Sequence, residues 1–332
     1  REIKKLKKAG QQLEMKELFS AMPPLEALKA LVSLLVTELD ESEWIEFMNS
    51  LDPDDDGELH LALWDISRAH FYGQTKRVLY VVLPQELNPE GKLGGRTCVK
   101  LDRTMYGTQD ASRIWQDTYH TPLKEKGFVR GTSNAAVFKG PKKQKALVHG
   151  DDFLVLATQK CIDEFEALLQ KKFQLRKEWQ IGFGPNDAKT GRILNRIITI
   201  EERPKRVTIE PDARHAQLII KELGLENAKA VETPSEKLSA EKQMADANEP
   251  PAPKVEQTTY RSVVMRASYL SQDSPDLSEA VKTLARYMKE PNRAHFARLK
   301  RLGRFLKKYP LLKNIFHVQK MPKSIDILED SD

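Results

Sequence analysis

Hydrophobic spacing divides this chain into short strands and amphipathic helices. Apolar residues that recur three and four positions apart predict helices, and short apolar runs bounded by Gly, Pro or Asp predict strands. The predicted helices span 25–39, 111–124, 159–173, 212–223, 260–271, 277–289 and 293–308. The predicted strands span 59–65, 78–83, 136–139, 146–156, 193–200 and 207–209, the last two as a hairpin. This mixture indicates an α+β fold.

A proline-rich segment interrupts the pattern at residues 233–258, where polar side chains surround Pro234, Pro250, Pro251 and Pro253. Such a composition is typical of a linker. Because 332 residues suffice for two domains, the linker is a candidate boundary region.

Composition adds an uneven charge to this picture. The chain has 54 Lys and Arg against 48 Asp and Glu, and residues 261–308 alone contain twelve basic and four acidic side chains. Such a segment can lie along a polyanion, although charge alone slightly favours solvated helix faces. Cys98 and Cys161 are the only cysteines, which excludes a disulfide framework or a cysteine-rich zinc site. No membrane span or secretion signal is predicted, so we expect an intracellular protein.

The sharpest candidate site is the turn Gly150-Asp151-Asp152, which lies between two apolar runs. Glycine and aspartate are common in hairpin turns because they tolerate positive φ, so an ordinary turn is one interpretation. Adjacent carboxylates also repel each other unless a cation is present, and Mg²⁺ prefers oxygen ligands. A two-metal site needs a further carboxylate. Asp65, at the end of the first predicted strand, is the candidate, although a lone acid there is often only a strand-end residue.

Further motifs follow in order along nearly the whole chain. They are LFSAMPP at 18–24, DISRAHFYG at 65–73, VLYVVLP at 78–84, KLDRTMYG at 100–107, QDASRIW at 109–115, HGDD at 149–152 and the basic helical region at 260–308. No single motif is decisive, but the ordered series resembles the reverse transcriptase of copia-type long-terminal-repeat retrotransposons, in which Tyr-Val-Asp-Asp stands where this chain has HGDD.

The resemblance implies RNA-directed DNA polymerisation. Asp65, Asp151 and Asp152 would hold two Mg²⁺ ions, with Mn²⁺ as an alternative. The implied partners are an RNA or DNA template–primer, deoxynucleoside triphosphates and other segments of the same Pol polyprotein. The location would be a cytoplasmic particle or the nucleus, with no membrane partner.

Other site residues are expected on the same ground. His70, Gln109, Arg113 and His149 would contact the nucleotide or the template. His70 stands where the family has an aromatic residue that crowds the sugar 2′-hydroxyl, but a turn histidine is an equal explanation, and Arg113 is nearly as well explained as a helix-surface charge. The nucleic-acid backbone would lie along four arginines, which are Arg286, Arg298, Arg301 and Arg304.

The implied architecture is a right-hand polymerase, with fingers and palm built from an antiparallel sheet and helices and a helical thumb and connection. The expected segments are fingers and palm at 1–206, the start of the thumb at 207–232, the linker at 233–258, the basic helical thumb and connection at 259–310, and the beginning of a ribonuclease H domain at 311–332. Both ends are expected to be cut edges of a longer polyprotein, with the family's basic strand cut off before Arg1.

Departures from the family pattern keep two other functions open. Where the family has Gln-Ala-Pro-Arg, this chain has Asp110-Ala111-Ser112-Arg113, which brings an acid near an anionic substrate, and His149 replaces the tyrosine at the primer end. A catalytically dead, nucleic-acid-binding remnant is therefore the alternative. A calcium-binding protein is the second alternative, because residues 52–58 copy the first half of a calcium loop, but Leu63 stands where that loop needs a bidentate glutamate.

Overall fold

The computed structural model describes residues 18–87, 98–237 and 239–323. The predicted ribonuclease H strand at 325–332 lies outside these residues. Nine helices occur in the described ranges, and they are α1 (Leu25–Leu34), α2 (Glu41–Asn49), α3 (Ala111–Glu125), α4 (Gln159–Gln170), α5 (Arg214–Glu222), α6 (Ala240–Ala247), α7 (Lys254–Ser271), α8 (Ser278–Ala285) and α9 (Arg293–Lys308).

Fourteen strands occur in the same part of the chain. They are β1 (Thr37–Glu38), β2 (Leu59–Ile66), β3 (Tyr80–Val82), β4 (Cys98–Lys100), β5 (Val129–Arg130), β6 (Val137–Lys139), β7 (Lys145–His149), β8 (Asp152–Thr158), β9 (Leu175–Gly182), β10 (Thr190–Ile193), β11 (Arg196–Glu202), β12 (Lys205–Glu210), β13 (Asn314–His317) and β14 (Gln319–Lys320). The mixture of helices and sheets confirms the predicted α+β class.

Contacts divide the chain into two units, one formed by Arg1–Ala188 with Val318–Asp332 and the other by Lys189–His317. The division expected after residue 206 falls within β12, whose pairing with β11 runs from Ile197 opposite Glu210 to Glu202 opposite Lys205. Because a boundary there would split this hairpin, the contacts place both strands in the second unit.

The first unit is built on a six-stranded sheet in the order β5-β6-β7-β8-β2-β9. Helices α3 and α4 cover one face, because alternate strand residues and one stripe of each helix are apolar. The members of this core include Ala62, Trp64, Val148, Phe153 and Val155 from the strands and Trp115, Leu123, Phe165 and Leu169 from the helices. Strand β2 therefore lies in the interior of the sheet, hydrogen-bonded on both sides.

The second unit has a four-stranded antiparallel sheet in the order β10-β11-β12-β13 and its own helical core. Helices α5, α7, α8 and α9 share the buried residues of that core, among them Ile219, Tyr260, Val264, Val281, Leu299 and Leu302. The buried guanidinium of Arg196 on β11 pairs with Asp273, just after α7, at 2.8 Å. This ion pair links the sheet to the helices within the unit.

Several predicted elements differ from the structure, chiefly in the following respects. Helix α1 ends at Leu34 rather than 39, because Thr37–Glu38 pairs with β14 as a parallel strand. The predicted linker contains helix α6, and α7 begins at Lys254, directly after Pro253. Proline is compatible with the residues before a helix, so the prolines there precede helix α7 instead of excluding it.

Candidate active site

Pairing within the first sheet brings the predicted acidic residues to one edge. Strands β2 and β8 run antiparallel with Asp65 directly opposite Asp152, and β7 places His149 opposite Asp152 on its other side. Side chains directly opposite each other in an antiparallel pair lie about 5 Å apart at Cβ. Asp151 joins them from the turn, where its carbonyl oxygen accepts a hydrogen bond from the Ile66 amide at 3.0 Å. Residues 65 and 151, remote in sequence, are thus neighbours.

The charges of these acids act on one another. Partial burial and then the charge of Asp151 raise the pKa of Asp65. Burial, followed by the charges of Asp151 and Asp65, raises the pKa of Asp152 to about 6. Glu178 on β9 raises the pKa of both groups further. Arg176, opposite Asp65 on β9, lowers the pKa of Asp65 by less than burial and the acids raise it, so negative charge predominates at the site.

The carboxylates at this edge determine how well the site suits a divalent cation. Carboxylate oxygens are the ligands that Mg²⁺ prefers, and uncompensated negative charge favours its binding. In the described ranges, no group of three or more His, Cys, Asp or Glu side chains is arranged to hold a metal ion by itself. Mg²⁺ usually keeps water and substrate phosphate oxygens among its ligands, so an incomplete set of protein donors is compatible with it.

Helix α3 holds the turn that carries Asp151 in place. Gly150 has a φ of +68°, a conformation that favours glycine. Its carbonyl oxygen accepts a hydrogen bond from the indole Nε1 of the buried Trp115 on α3 at 2.8 Å. Trp115 thus holds the turn in position. The residue belongs to the motif at 109–115, but the motif alone does not predict this contact.

A pair of aromatic rings lies beside the acids. His70 belongs to a short 3₁₀ helix, Ala69–Tyr72, and its ring lies 4.4 Å from that of Tyr106, centroid to centroid. Burial and the charge of Asp151 raise the pKa of Tyr106, whereas burial lowers the pKa of His70. Sequence analysis assigned no role to Tyr106. Only the fold reveals that it joins His70 at the acids.

Three other predicted contact residues lie near the same elements. Gln109 is half-buried immediately before α3, and Arg113 on α3 pairs with Asp117 one turn later at 3.2 Å. His149 ends β7, and burial lowers its pKa. The structure therefore places His149 with the acids, while the guanidinium of Arg113 has a partner on its own helix.

Asp110 does not bring an unbalanced negative charge to the site. Its carboxylate accepts two hydrogen bonds from Arg77, from Nε at 3.0 Å and from Nη2 at 3.1 Å. Both side chains are almost fully buried, at 11% and 7% exposure. The sequence-based expectation of an acid facing the substrate is thus wrong, because a basic residue 33 positions away neutralises it.

The acidic turn at 52–58 uses its carboxylates for structural contacts. Asp52 pairs with Lys142 at 2.7 Å and Asp54 with Lys160 at 2.5 Å. Asp55 accepts a hydrogen bond from the Thr158 hydroxyl at 2.6 Å. Since strand β2 follows directly, this segment joins a helix to a strand and lacks the second helix of a calcium-binding hand.

The four predicted backbone-binding arginines belong to the second unit. Arg286 is exposed directly after α8. The other three contact a preceding segment of the chain, since Arg298 pairs with Asp246, Arg301 with Glu236, and Arg304 donates to the Lys229 carbonyl at 2.5 Å. Sequence analysis gave no indication of these contacts.

Comparison with known families agrees with this arrangement of motifs. Residues 36–237 match the family model of reverse transcriptases, described as RNA-dependent DNA polymerases. The chain belongs to the reverse transcriptase family. That match covers the sheet with the acidic edge, and it confirms the family predicted from the ordered motifs.

Curated relatives of this reverse transcriptase are retrovirus-related Pol polyproteins of plant transposons. One from transposon TNT 1-94 of Nicotiana tabacum is 22% identical over 302 residues, which is 89% of this chain and 20% of that protein. Those from RE2 and RE1 of Arabidopsis thaliana are 29% and 25% identical, each over 62% of this chain and 13% of the relative. This chain therefore spans a fifth or less of the length of these relatives.

One solved structure, telomerase from Candida tropicalis with the TWJ fragment of telomeric RNA, covers 92% of this reverse transcriptase and 50% of its own chain. The identity is 10% and the TM-score 0.27, too low to bear on the fold. Within the described residues, no helix is both long and apolar enough to cross a membrane.

Proposed function

We propose that this chain copies RNA into DNA by nucleotidyl transfer at the acidic edge of the first sheet. The observation that carries the proposal is the register that places Asp65 opposite Asp152, with Asp151 in the adjoining turn. Asp65, Asp151 and Asp152 would hold two Mg²⁺ ions, or Mn²⁺ in their place. When bound, these ions would activate the primer 3′-hydroxyl and neutralise charge on the leaving pyrophosphate.

The remaining residues of the site would orient the substrates. The adjacent, tilted rings of His70 and Tyr106 would form a wall that limits space at the sugar of the incoming nucleotide. His149, opposite Asp152, would face the primer end, and Gln109 and Arg113 would meet the nucleotide or template at the start of α3. A hydrogen bond from Trp115 would keep the turn in place while substrates change.

The proposed layout is that of a right-hand polymerase. Fingers and palm would be formed by the first unit, and the thumb and connection by the second unit, which contains the basic helices. Arg286, Arg298, Arg301 and Arg304 would lie along the template–primer backbone without reading its sequence. The substrates would be a template–primer and deoxynucleoside triphosphates, and other Pol segments are proposed partners.

Primer extension on an RNA template with Mg²⁺ tests the function. Asp151→Asn should lower extension at least a hundredfold, because it removes one negative ligand from a set of three. Asp163→Asn, on the exposed face of α4, is the matched control and should extend normally. Equal extension by the two variants would refute the site.

A non-catalytic nucleic-acid-binding remnant is the second candidate. It is favoured by the His149-Gly150 pair, which stands where the family has Tyr-Val, and by the lack, among the described residues, of three acidic, His or Cys side chains arranged to hold a metal ion. Binding of template–primer by the unaltered chain without incorporation, with either Mg²⁺ or Mn²⁺, would support this candidate over the polymerase.

A further inference from the structure

An acidic segment lies along the basic helix α9 in the second unit. We call residues 226–249 the strap. At the end of α9, Lys307 Nζ donates to the carbonyl oxygens of Glu226 at 2.7 Å and Ala228 at 2.6 Å. One turn earlier on the helix, Arg304 contacts the next strap residue, Lys229. The strap therefore begins beside the C-terminal end of α9.

The later strap residues meet earlier residues of the helix. Arg301 pairs with Glu236 and donates to the Thr233 hydroxyl at 2.8 Å. Nearer the start of α9, Arg298 pairs with Asp246. The contacts thus move toward the helix start as the strap advances, so the two segments run antiparallel.

Both ends of the strap are fixed. Its last residue, Glu249, accepts a hydrogen bond from the Ala294 amide in the first turn of α9 at 3.2 Å, which suits a carboxylate at a helix N-terminus. Leu225 and Ala252, which flank the strap, are buried. The strap is consequently anchored beyond both ends of its contact with the helix.

The strap has fewer such anchors between its ends, where Ala228 and Val231 are partly buried against the helical core. None of its described residues is buried, and Met244 is 71% exposed. A cavity of about 730 Å³ is lined by the strap together with α8 and α9, including Arg298, Arg301 and Arg304. The carboxylates of Glu232 and Glu236 are exposed, and ion pairs of this kind are weak individually and screened by salt, whereas Asp246 and Arg298 are largely buried. The stretch of the strap around Glu232 and Glu236 can therefore leave the helix without opening the core.

The groups that the strap offers to α9 resemble those of a phosphodiester backbone. Glu232, which pairs with Lys308, adds a third carboxylate to those of Glu236 and Asp246. Carboxylate and phosphate oxygens use the same donors of arginine and lysine. Nucleic acid and the strap cannot both occupy these donors.

We infer that the strap is a built-in competitor that covers the nucleic-acid-binding face of α9 and is displaced when a template–primer binds. This inference rests on the proposed contact between the α9 arginines and the nucleic-acid backbone. The strap acts as a gate on that contact, because the α9 side chains must give up their ion pairs with the strap before they can bind phosphates. Duplex length and salt would then set how readily the gate opens.

The test compares two triple variants with the unaltered chain. Glu232→Gln, Glu236→Gln and Asp246→Asn together remove the carboxylates of the strap. The matched control combines Glu201→Gln, Glu202→Gln and Glu210→Gln, which frees three basic partners on the sheet of the same unit, Arg206, Lys189 and Lys313. Both triples raise the net charge by three, so non-specific attraction changes equally.

Fluorescence anisotropy with a labelled RNA–DNA duplex, without nucleotides, gives the readout. We expect the strap variant to bind about tenfold more tightly than the control at 150 mM salt, with a log–log salt slope steeper by about 3, one unit per freed basic group. Equal affinity and slope in the two triples would overturn the inference, and so would absence of binding by all three proteins.

Hydrogen exchange on the unaltered chain gives a second reading that does not depend on the folding of a variant. Added duplex should speed amide exchange within residues 226–249 and leave the buried part of α9 unchanged. Unchanged or slowed exchange in the strap of a duplex-bound chain would overturn displacement. Binding without primer extension would refute the polymerase and leave the strap inference standing, so the two failures are distinguishable.

Discussion

At the scale of single residues, Asp152 shows that carboxylates at the site repel one another. Its carboxylate is half-buried between Asp65 and His149, near a second acid of the same turn. A fold selected for stability alone would place a neutral residue there, because burying uncompensated charge is costly. The acid at this position is therefore best explained by a ligand that its negative charge attracts.

Asp152→Asn should stabilise the chain at pH 7.5. Burial and the neighbouring acids raise the pKa of Asp152 to about 6, above its unfolded value of 3.8, so the folded state loses stability as pH rises through 6. After allowance for solvent exposure, we expect a gain of about 1–2 kcal/mol at pH 7.5 that largely disappears at pH 4.5. Urea unfolding at the two pH values measures it.

Asp102→Asn is the control for that measurement, since Asp102 is exposed. It should change the free energy of unfolding by less than about 0.5 kcal/mol at either pH. Equal stability of Asp152→Asn and the unaltered chain at pH 7.5 would contradict the proposed repulsion.

At the scale of elements, a buried ion pair joins the segment before β3 to the start of α3. Arg77 and Asp110 are far apart in sequence, and neither residue type at its position predicts the other. The two hydrogen bonds fix the N-terminal end of the helix that carries Trp115. Placement of the Asp151 turn thus depends on a contact made one element away.

Arg77→Ala should destabilise the chain by about 3–5 kcal/mol, because it leaves the Asp110 carboxylate buried without this partner. Combining it with Asp110→Asn should restore about 1–2 kcal/mol, since the buried charge is then gone. Thermal or urea unfolding of the single and double variants measures both effects.

Lys76→Ala provides the comparison, because Lys76 is 68% exposed and its contact with Asp117 spans 3.4 Å. We expect a change below about 0.5 kcal/mol. A double variant that is less stable than Arg77→Ala alone would contradict the explanation that the unpaired Asp110 carboxylate causes the loss of stability.

Sequence patterns predicted the elements whose hydrophobic period is regular. Strands β2 and β8 are nearly continuous apolar runs, and α3 and α4 repeat apolar residues at helical spacing, so burial alone identifies them. Strand β9 was missed because the exposed charged run Arg176–Glu178 interrupts its apolar residues, and it is a strand through its pairing with β2. Glu178 was missed with it, since only pairing across the sheet brings it to the acids. Tyr106 was missed because it lies in a turn, and only the fold brings its ring against that of His70.

At the scale of the whole molecule, the chain has two hydrophobic cores with no shared residue among those described. The second core includes four helices, and the Arg196–Asp273 pair fastens the sheet to them. A unit with its own core, sheet and internal ion pair meets the usual requirements for independent folding.

Residues 189–317, expressed alone, should therefore fold cooperatively. We expect a single sigmoidal unfolding transition by circular dichroism and dispersed amide resonances. The shorter fragment 207–317, which begins near the boundary expected from sequence, lacks β10 and β11 and should remain largely unfolded. Similar spectra for both fragments would show that the sheet is dispensable.

The path of the chain through the sheet of the second unit has an evolutionary consequence. Strand β10 begins this unit and β13 ends it, and three successive antiparallel pairings bring that beginning and that end to the same side of the sheet, about 14 Å apart. A segment whose two ends lie so close together can be exchanged for another segment as one unit. A lineage could thus exchange this unit as a whole, while Asp65, Asp151 and Asp152 keep their own neighbours.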